Sequence, residues 1–149
     1  MDGHQYSAHF EAPGGKPVLT AYPDPLTGGE PFTIGLGHVG PDVKQGTVWT
    51  EDQCLHAFYN DYNVACGAAL HIIGADTWGR LGEPRQAVLS DMAFNIGQSR
   101  LSLFAKMLAA IRRADWQAAH DELLDSAYAR QTKTRAQTNA KTLLTGEWP

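Results

Sequence analysis

The stretch from Ala21 to His38, AYPDPLTGGEPFTIGLGH, rules out a helix and forces a turn. Pro23 and Pro25 bracket Asp24. Each lacks an amide donor and pushes the residue before it into extended backbone. Gly28-Gly29 supplies the turn, and Phe32-Thr33-Ile34 reads as a β-run that ends in Gly35 and Gly37. Val18-Leu19-Thr20-Ala21-Tyr22 reads as its partner, so the segment predicts a small antiparallel sheet. Upstream, Tyr6 and Phe10 stand at i, i+4 in a short helical pattern over residues 4–11. That pattern finishes on Glu11 and breaks at Pro13-Gly14-Gly15. Two carboxylates, Glu11 and Asp24, are thus delivered from different elements.

The rest of the chain has helical period. Thr50-Glu51-Asp52-Gln53 is a capping box that opens a helix over residues 51–72, with Leu55, Phe58, Tyr62, Ala65 and Ala69 on one stripe. Glu83-Pro84 starts another, lined by Val88, Met92 and Ile96 and stopped by Gly97. Leu103 to Ala114 predicts a helix with Leu103, Met107 and Ile111 inward. Asp115 caps a short one through Trp116, Ala119 and Leu123, and a polar stretch over 132–143 ends near Gly146. Phe58, Tyr62, Phe104 and Trp116 fall on these stripes as core. Trp49 and Trp78 lie near loops, where packing competes with sugar stacking. The expected architecture is α+β in one domain of 149 residues. A small sheet lobe at about 14–49 and a linking helix at 51–72 precede a helical lobe at 73–149, which also takes in the N-terminal helix.

Composition narrows the function. The net charge of −4 does not favour nucleic acid as a partner. Residues 1–75 hold eight acids against Lys16 and Lys44, whereas residues 76–149 hold ten Lys/Arg against eight acids. Solvated helix faces explain this asymmetry more simply than docking to a polyanion does. Cys54 and Cys66 sit twelve residues apart on one expected helix, about 18 Å, which is beyond disulfide reach, so both read as free thiols. No apolar run is long enough to span a membrane, and Met1-Asp2-Gly3-His4-Gln5 lacks the basic and apolar regions of a signal peptide.

Several motifs read as decoys. Gly35-Leu36-Gly37-His38-Val39-Gly40 is a literal G-x-G-x-x-G, but Pro41 to Gly46 continues as loop where a dinucleotide site needs a helix. The glycines are better explained by a tight bend and a close backbone approach. Cys54, His56, Cys66 and His71 scatter around their helix and include no C-x-x-C pair, so neither a metal nor a cofactor is expected. Ser90 and Ser126 lack an elbow motif. Glu11 and Asp24 are the better pair, because glycosidic cleavage takes one carboxyl to protonate the leaving oxygen and another to attack or to activate water.

Leu19-x-Ala21-Tyr22-x-Asp24 followed by Thr33-Ile34-Gly35-Leu36-Gly37-His38 resembles the signature of phage-type lysozymes, glycoside hydrolase family 24. Thr27 to Phe32 looks like the turn of the longer endolysin branch, and Ala93-Phe94-Asn95-Ile96-Gly97 like the end of the family's core helix. Ser126-x-Tyr128-x-x-Gln131-Thr132-x-x-Arg135-Ala136 and Thr145-Gly146-Glu147-Trp148 are similar to its C-terminal segments. The chain departs from the pattern after Glu11, where Ala12 to Pro17 replaces a glycine and a short link.

The resemblance implies a lysozyme-like fold and a role for each residue. Glu11 would be the general acid, with Arg135 in a family ion pair beside it. The role requires a proton near neutral pH, which burial favours and a neighbouring Arg⁺ opposes. Asp24 would stabilise oxocarbenium charge and orient a water held by Thr33. His38 would make a structural hydrogen bond near the sheet rather than act in catalysis. Tyr128, Gln131 and Asn95 would bind sugar, with core packing an equal alternative for Tyr128. Glu30 is the main rival carboxylate. The implied activity is N-acetylmuramidase cleavage of the peptidoglycan glycan strand during phage lysis, by a monomer that needs a holin-type lesion for release. A bacteriocin-type toxin domain, a lytic transglycosylase and a non-catalytic wall-binding module are the alternatives. Asp24 and Thr33 together count against the transglycosylase, and the intact set of three residues counts against the binding module.

Overall fold

The structure, a computed structural model, describes residues 1–12 and 15–149. The expected break at Pro13-Gly14 lies outside them. The element order is α1 (Gly3–Glu11), β1 (Val18–Tyr22), β2 (Thr33–Gly35), β3 (His38–Val39), α2 (Glu51–Ile73), α3 (Ala75–Arg80), α4 (Glu83–Ile96), α5 (Gln98–Ser102), α6 (Ala105–Arg112), α7 (Trp116–Leu124), α8 (Ala127–Thr132) and α9 (Thr134–Thr145). The fold is the expected α+β type, largely helical with a small antiparallel sheet near the N-terminus. The chain divides into two compact units, Ser7–Asn63 and Met1–Tyr6 with Val64–Pro149.

The first unit is built on the sheet, with strand order β1-β2-β3, all antiparallel. Tyr22 pairs with Thr33 and Val18 with Gly35, with a bulge between them. The outer side of β1 is held by a bridge from Thr20 to Val48 and by Ala21 N–H donating to Thr47 O at 2.9 Å. Phe32, Ile34 and Val43 form its core, with Ala21 and the partly buried Trp49 packed against them. The capping box forms as expected: Gln53 N–H donates to Thr50 Oγ1 at 3.2 Å, and Thr50 N–H to Gln53 Oε1 at 2.9 Å. On the following stripe Phe58 and Tyr62 are buried, but Leu55 is 40% exposed and Cys54 takes the inward position. Both cysteines are free.

The second unit is helical, with α4 at its centre. Residues 87–93 of α4 are all buried, so the helix shows little amphipathicity. Met107 and Ile111 point inward as expected, whereas Leu103 is 80% exposed. The expected single helix breaks there, because Leu103 caps α5 and Phe104 leaves helical geometry before α6. Leu101 fills the buried position instead. Lys133, at φ 44°, likewise separates α8 from α9, which moves the last helix from the expected 132–143 to Thr134–Thr145. Gly146 ends α9 in the left-handed conformation, and Arg85 donates to the freed Leu143 and Leu144 carbonyls at 2.8 and 3.2 Å while stacking 3.7 Å over Trp116. No helix among the described residues is long and apolar enough to cross a membrane.

Candidate active site

In the sheet unit Glu11 is the last residue of α1 and is half-buried. Its Oε2 lies 3.0 Å from where a Cβ on Gly37 would stand, so this carboxylate reaches the bend between β2 and β3. Gly37 has φ +86° and Gly35 φ +68°, and a Cβ on Gly35 would meet Cys54 Cβ at 3.1 Å. Both glycines therefore serve a tight bend and close contacts. Gly37→Ala should lose about 1–2 kcal/mol from the left-handed backbone and press a methyl group on the Glu11 carboxylate. Urea melts check this.

Asp24 follows β1 at the end of the ladder where Tyr22 pairs with Thr33. Its Oδ1 accepts from Leu26 N–H at 2.7 Å and Thr27 N–H at 3.3 Å, an Asx-type turn that fixes the carboxylate. Gly28 N–H closes the turn on Asp24 O at 2.8 Å. Thr33 opens β2 and is partly exposed. The rival acid Glu30 is exposed on this turn.

His38, in β3, is held at both ring nitrogens. Nδ1 donates to Asp61 Oδ2 at 2.6 Å, and Nε2 faces the Asp42 carboxylate at 3.1 and 3.2 Å. Donating at both positions requires the imidazolium form. Burial pulls the imidazole pKa down, but the hydrogen bonds and charges of Asp61 and Asp42 outweigh it and leave the value raised. Asp42 is held below the usual carboxylate range by its bond to His38. A raised histidine contributes stability that is full below its unfolded value and lost as pH rises through the folded one. A depressed aspartate contributes stability lost as pH falls through its folded value. The difference in Tm between the wild type and His38→Gln should therefore be widest just below the ordinary histidine value of about 6.5 and shrink as pH rises through the raised folded value. A pH series of thermal melts measures it.

In the helical unit Tyr128 and Gln131, with Phe104 and Met107, line a cavity of about 490 Å³. Gln131 is exposed. Tyr128 is buried, its ring meets Phe104 edge-on, and its hydroxyl accepts from Asn139 Nδ2 at 3.0 Å. Burial pushes its pKa up to about 12. Asn95 is exposed beside the lining residue Ile96. Arg135 forks onto Asp91, with Nε 3.0 Å from Oδ2 and Nη2 2.7 Å from Oδ1. Asn139 Nδ2 also reaches Asp91 Oδ2 at 3.0 Å, and Asn139 Oδ1 accepts from the Tyr6 hydroxyl at 2.7 Å. Among the described residues every buried side-chain polar atom is partnered, and none group in threes as His, Cys, Asp or Glu to hold a metal ion.

The sequence reading does not name Asp91, Asn139, Asp42 or Asp61. Asp91 carries a signal, as a lone charge within an otherwise apolar or small stretch of α4. Asn139 stands four residues from Arg135, and Asp42 four from His38, both at spacings too common to single out.

The chain matches the phage lysozyme family model over residues 15–142. That range begins just after Glu11 and contains Asp24, Thr33, His38, Asn95, Tyr128, Gln131 and Arg135. The chain is also similar to the pre-baseplate central spike protein Gp5 of Enterobacteria phage T4, with 36% identity over 69 residues. That match covers 46% of this chain and 12% of the spike protein. With most of its length accounted for by the family model, the chain belongs to the phage lysozyme family.

Proposed function

We propose that the chain, acting as one catalytic domain over residues 1–149, is an N-acetylmuramidase that hydrolyses the β-1,4 bond between N-acetylmuramic acid and N-acetylglucosamine in peptidoglycan. The observation that carries this reading is membership of the phage lysozyme family. The sheet unit supports it. One carboxylate, Glu11, abuts the Gly37 bend, and another, Asp24, is fixed by turn amides at the ladder end occupied by Thr33. Glu11 protonates the glycosidic oxygen as the bond to the anomeric carbon breaks. Asp24 offsets the oxocarbenium charge, and the Thr33 hydroxyl orients the attacking water with it. His38 braces the sheet through Asp61 and Asp42. Within the helical unit, Tyr128, Gln131 and Asn95 are the sugar-binding residues, and Arg135, forked onto Asp91, is a supporting one. The enzyme serves host lysis as a monomer, reaching the wall after release through a membrane lesion.

Likeness to a protein named as a baseplate central spike favours a second reading, in which the same chemistry serves a virion structure. Co-purification with phage particles would select it. Digestion of purified murein tests the reaction itself. New reducing ends at N-acetylmuramic acid are expected. Anhydro-muramyl ends would instead identify a transglycosylase, and intact murein would remove the enzyme reading.

A further inference from the structure

Tyr22 stands directly opposite Thr33 in the β1–β2 ladder, and Thr33 directly opposite Val39 in the β2–β3 ladder. Residues facing one another in antiparallel strands project to the same face, with Cβ atoms roughly 5 Å apart. Tyr22, Thr33 and Val39 therefore form one row across the sheet, an aromatic and an aliphatic side chain flanking a hydroxyl. The neighbouring β2 residue, Ile34, points to the opposite face and is fully buried in the core with Phe32 and Val43. The row does not pack into that core, since Tyr22 is 41% exposed and Val39 50%.

The strand that carries Tyr22 is hydrogen-bonded along both edges. The bulge between Val18 and Tyr22 re-aims the end of β1. The middle of the strand is pinned on its other edge by the Thr20–Val48 bridge and by Trp49 N–H donating to Leu19 O at 2.9 Å. Two residues beyond Tyr22, the turn amides of Leu26 and Thr27 fix Asp24. This end of the β1–β2 ladder thus carries an aromatic ring from Tyr22, a hydroxyl from Thr33 and, two residues past Tyr22, a carboxylate from Asp24. The C–H face of a pyranose ring matches such an aromatic surface, and a tyrosine loses little conformational freedom in offering it.

We propose that Tyr22 contacts the glycan, its ring stacking on the apolar face of the N-acetylhexosamine that lies beside Thr33. This rests on the hydrolase reading above. Stacking needs the ring and not the hydroxyl, whereas a strand-forming role needs only a β-compatible side chain. Tyr22→Phe and Tyr22→Val separate the two, because both suit a strand.

The experiment measures the affinity of soluble glycan strands, freed of stem peptides, for the full chain in a Glu11→Gln background by titration calorimetry. Steady-state kinetics with Glu11 restored, and thermal melts, accompany it. Tyr22→Phe should bind within about twofold of its parent, and Tyr22→Val should weaken binding about tenfold. KM should rise more than kcat falls, with both variants folded. Parental affinity in Tyr22→Val, with murein cleavage by the wild type intact, would overturn the role of Tyr22 and leave the hydrolase reading standing. A wild type that neither binds nor cleaves the strands would remove both.

Discussion

Glu11→Gln should reduce murein cleavage on the order of a thousandfold, the scale of a lost general acid, with little change in the thermal melt. The amide keeps the shape of the carboxyl group and can still lie against the Gly37 bend, where Glu11 Oε2 stands 3.0 Å from the Cβ position. What it cannot do is deliver a proton to the leaving oxygen, so the loss should appear in kcat rather than KM. Release of reducing ends, followed alongside circular dichroism, separates loss of chemistry from loss of fold. Wild-type activity in this variant would move the acid role to another carboxylate, with Glu30 first in line. Asp24→Asn should behave differently. It keeps an oxygen for the Leu26 and Thr27 amides but removes the charge proposed to offset the oxocarbenium ion.

The largest effect on stability is expected at Asp91→Ala. Asp91 has no exposed surface and Arg135 is only 9% exposed. Desolvating such a pair costs about as much as its attraction returns, yet removing one partner takes that attraction away from a charge that stays buried, typically at about 3–5 kcal/mol. For a chain of this size that is a fall in Tm on the order of 10 °C. Asn139 would also lose its contact with Asp91 Oδ2, at 3.0 Å in the native protein. Asp91→Leu combined with Arg135→Met should recover part of the loss, because both buried charges of the pair are then removed. A calorimetric scan of the three proteins checks this, and an unchanged Tm in Asp91→Ala would show that the pair does not support the helical unit.

Elements with strong local signals are legible in the sequence. Pro23, Pro25 and Gly28-Gly29 admit only a turn, the Thr50–Gln53 box admits a helix start, and Pro84 and Gly97 bracket α4. The errors fall where tertiary packing decides between similar local options. Leu55 and Cys54 suit a buried stripe about equally, and packing turns Cys54 inward. A helix from Leu103 onward has adequate propensity, but the chain turns at Phe104, exposes Leu103 and buries Leu101.

The candidate site divides in the same way. Glu11, Asp24, Thr33 and His38 can be proposed from the sequence because a short motif of turn and strand residues carries or adjoins them. Their physical supports cannot. The Asp61 partner of His38 is 23 residues away, Asp91 is 44 from Arg135, and Tyr6 is 133 from Asn139. Local propensity and periodicity act over a few residues, so the sequence alone determines the turns, caps, glycine bends and the order of elements. Buried charges and hydroxyls are satisfied only by what the folded chain brings within about 3 Å. The Asp91–Arg135–Asn139–Tyr6 network, the two-sided clamp on His38 and the Tyr22–Thr33–Val39 row were therefore decided by the tertiary structure.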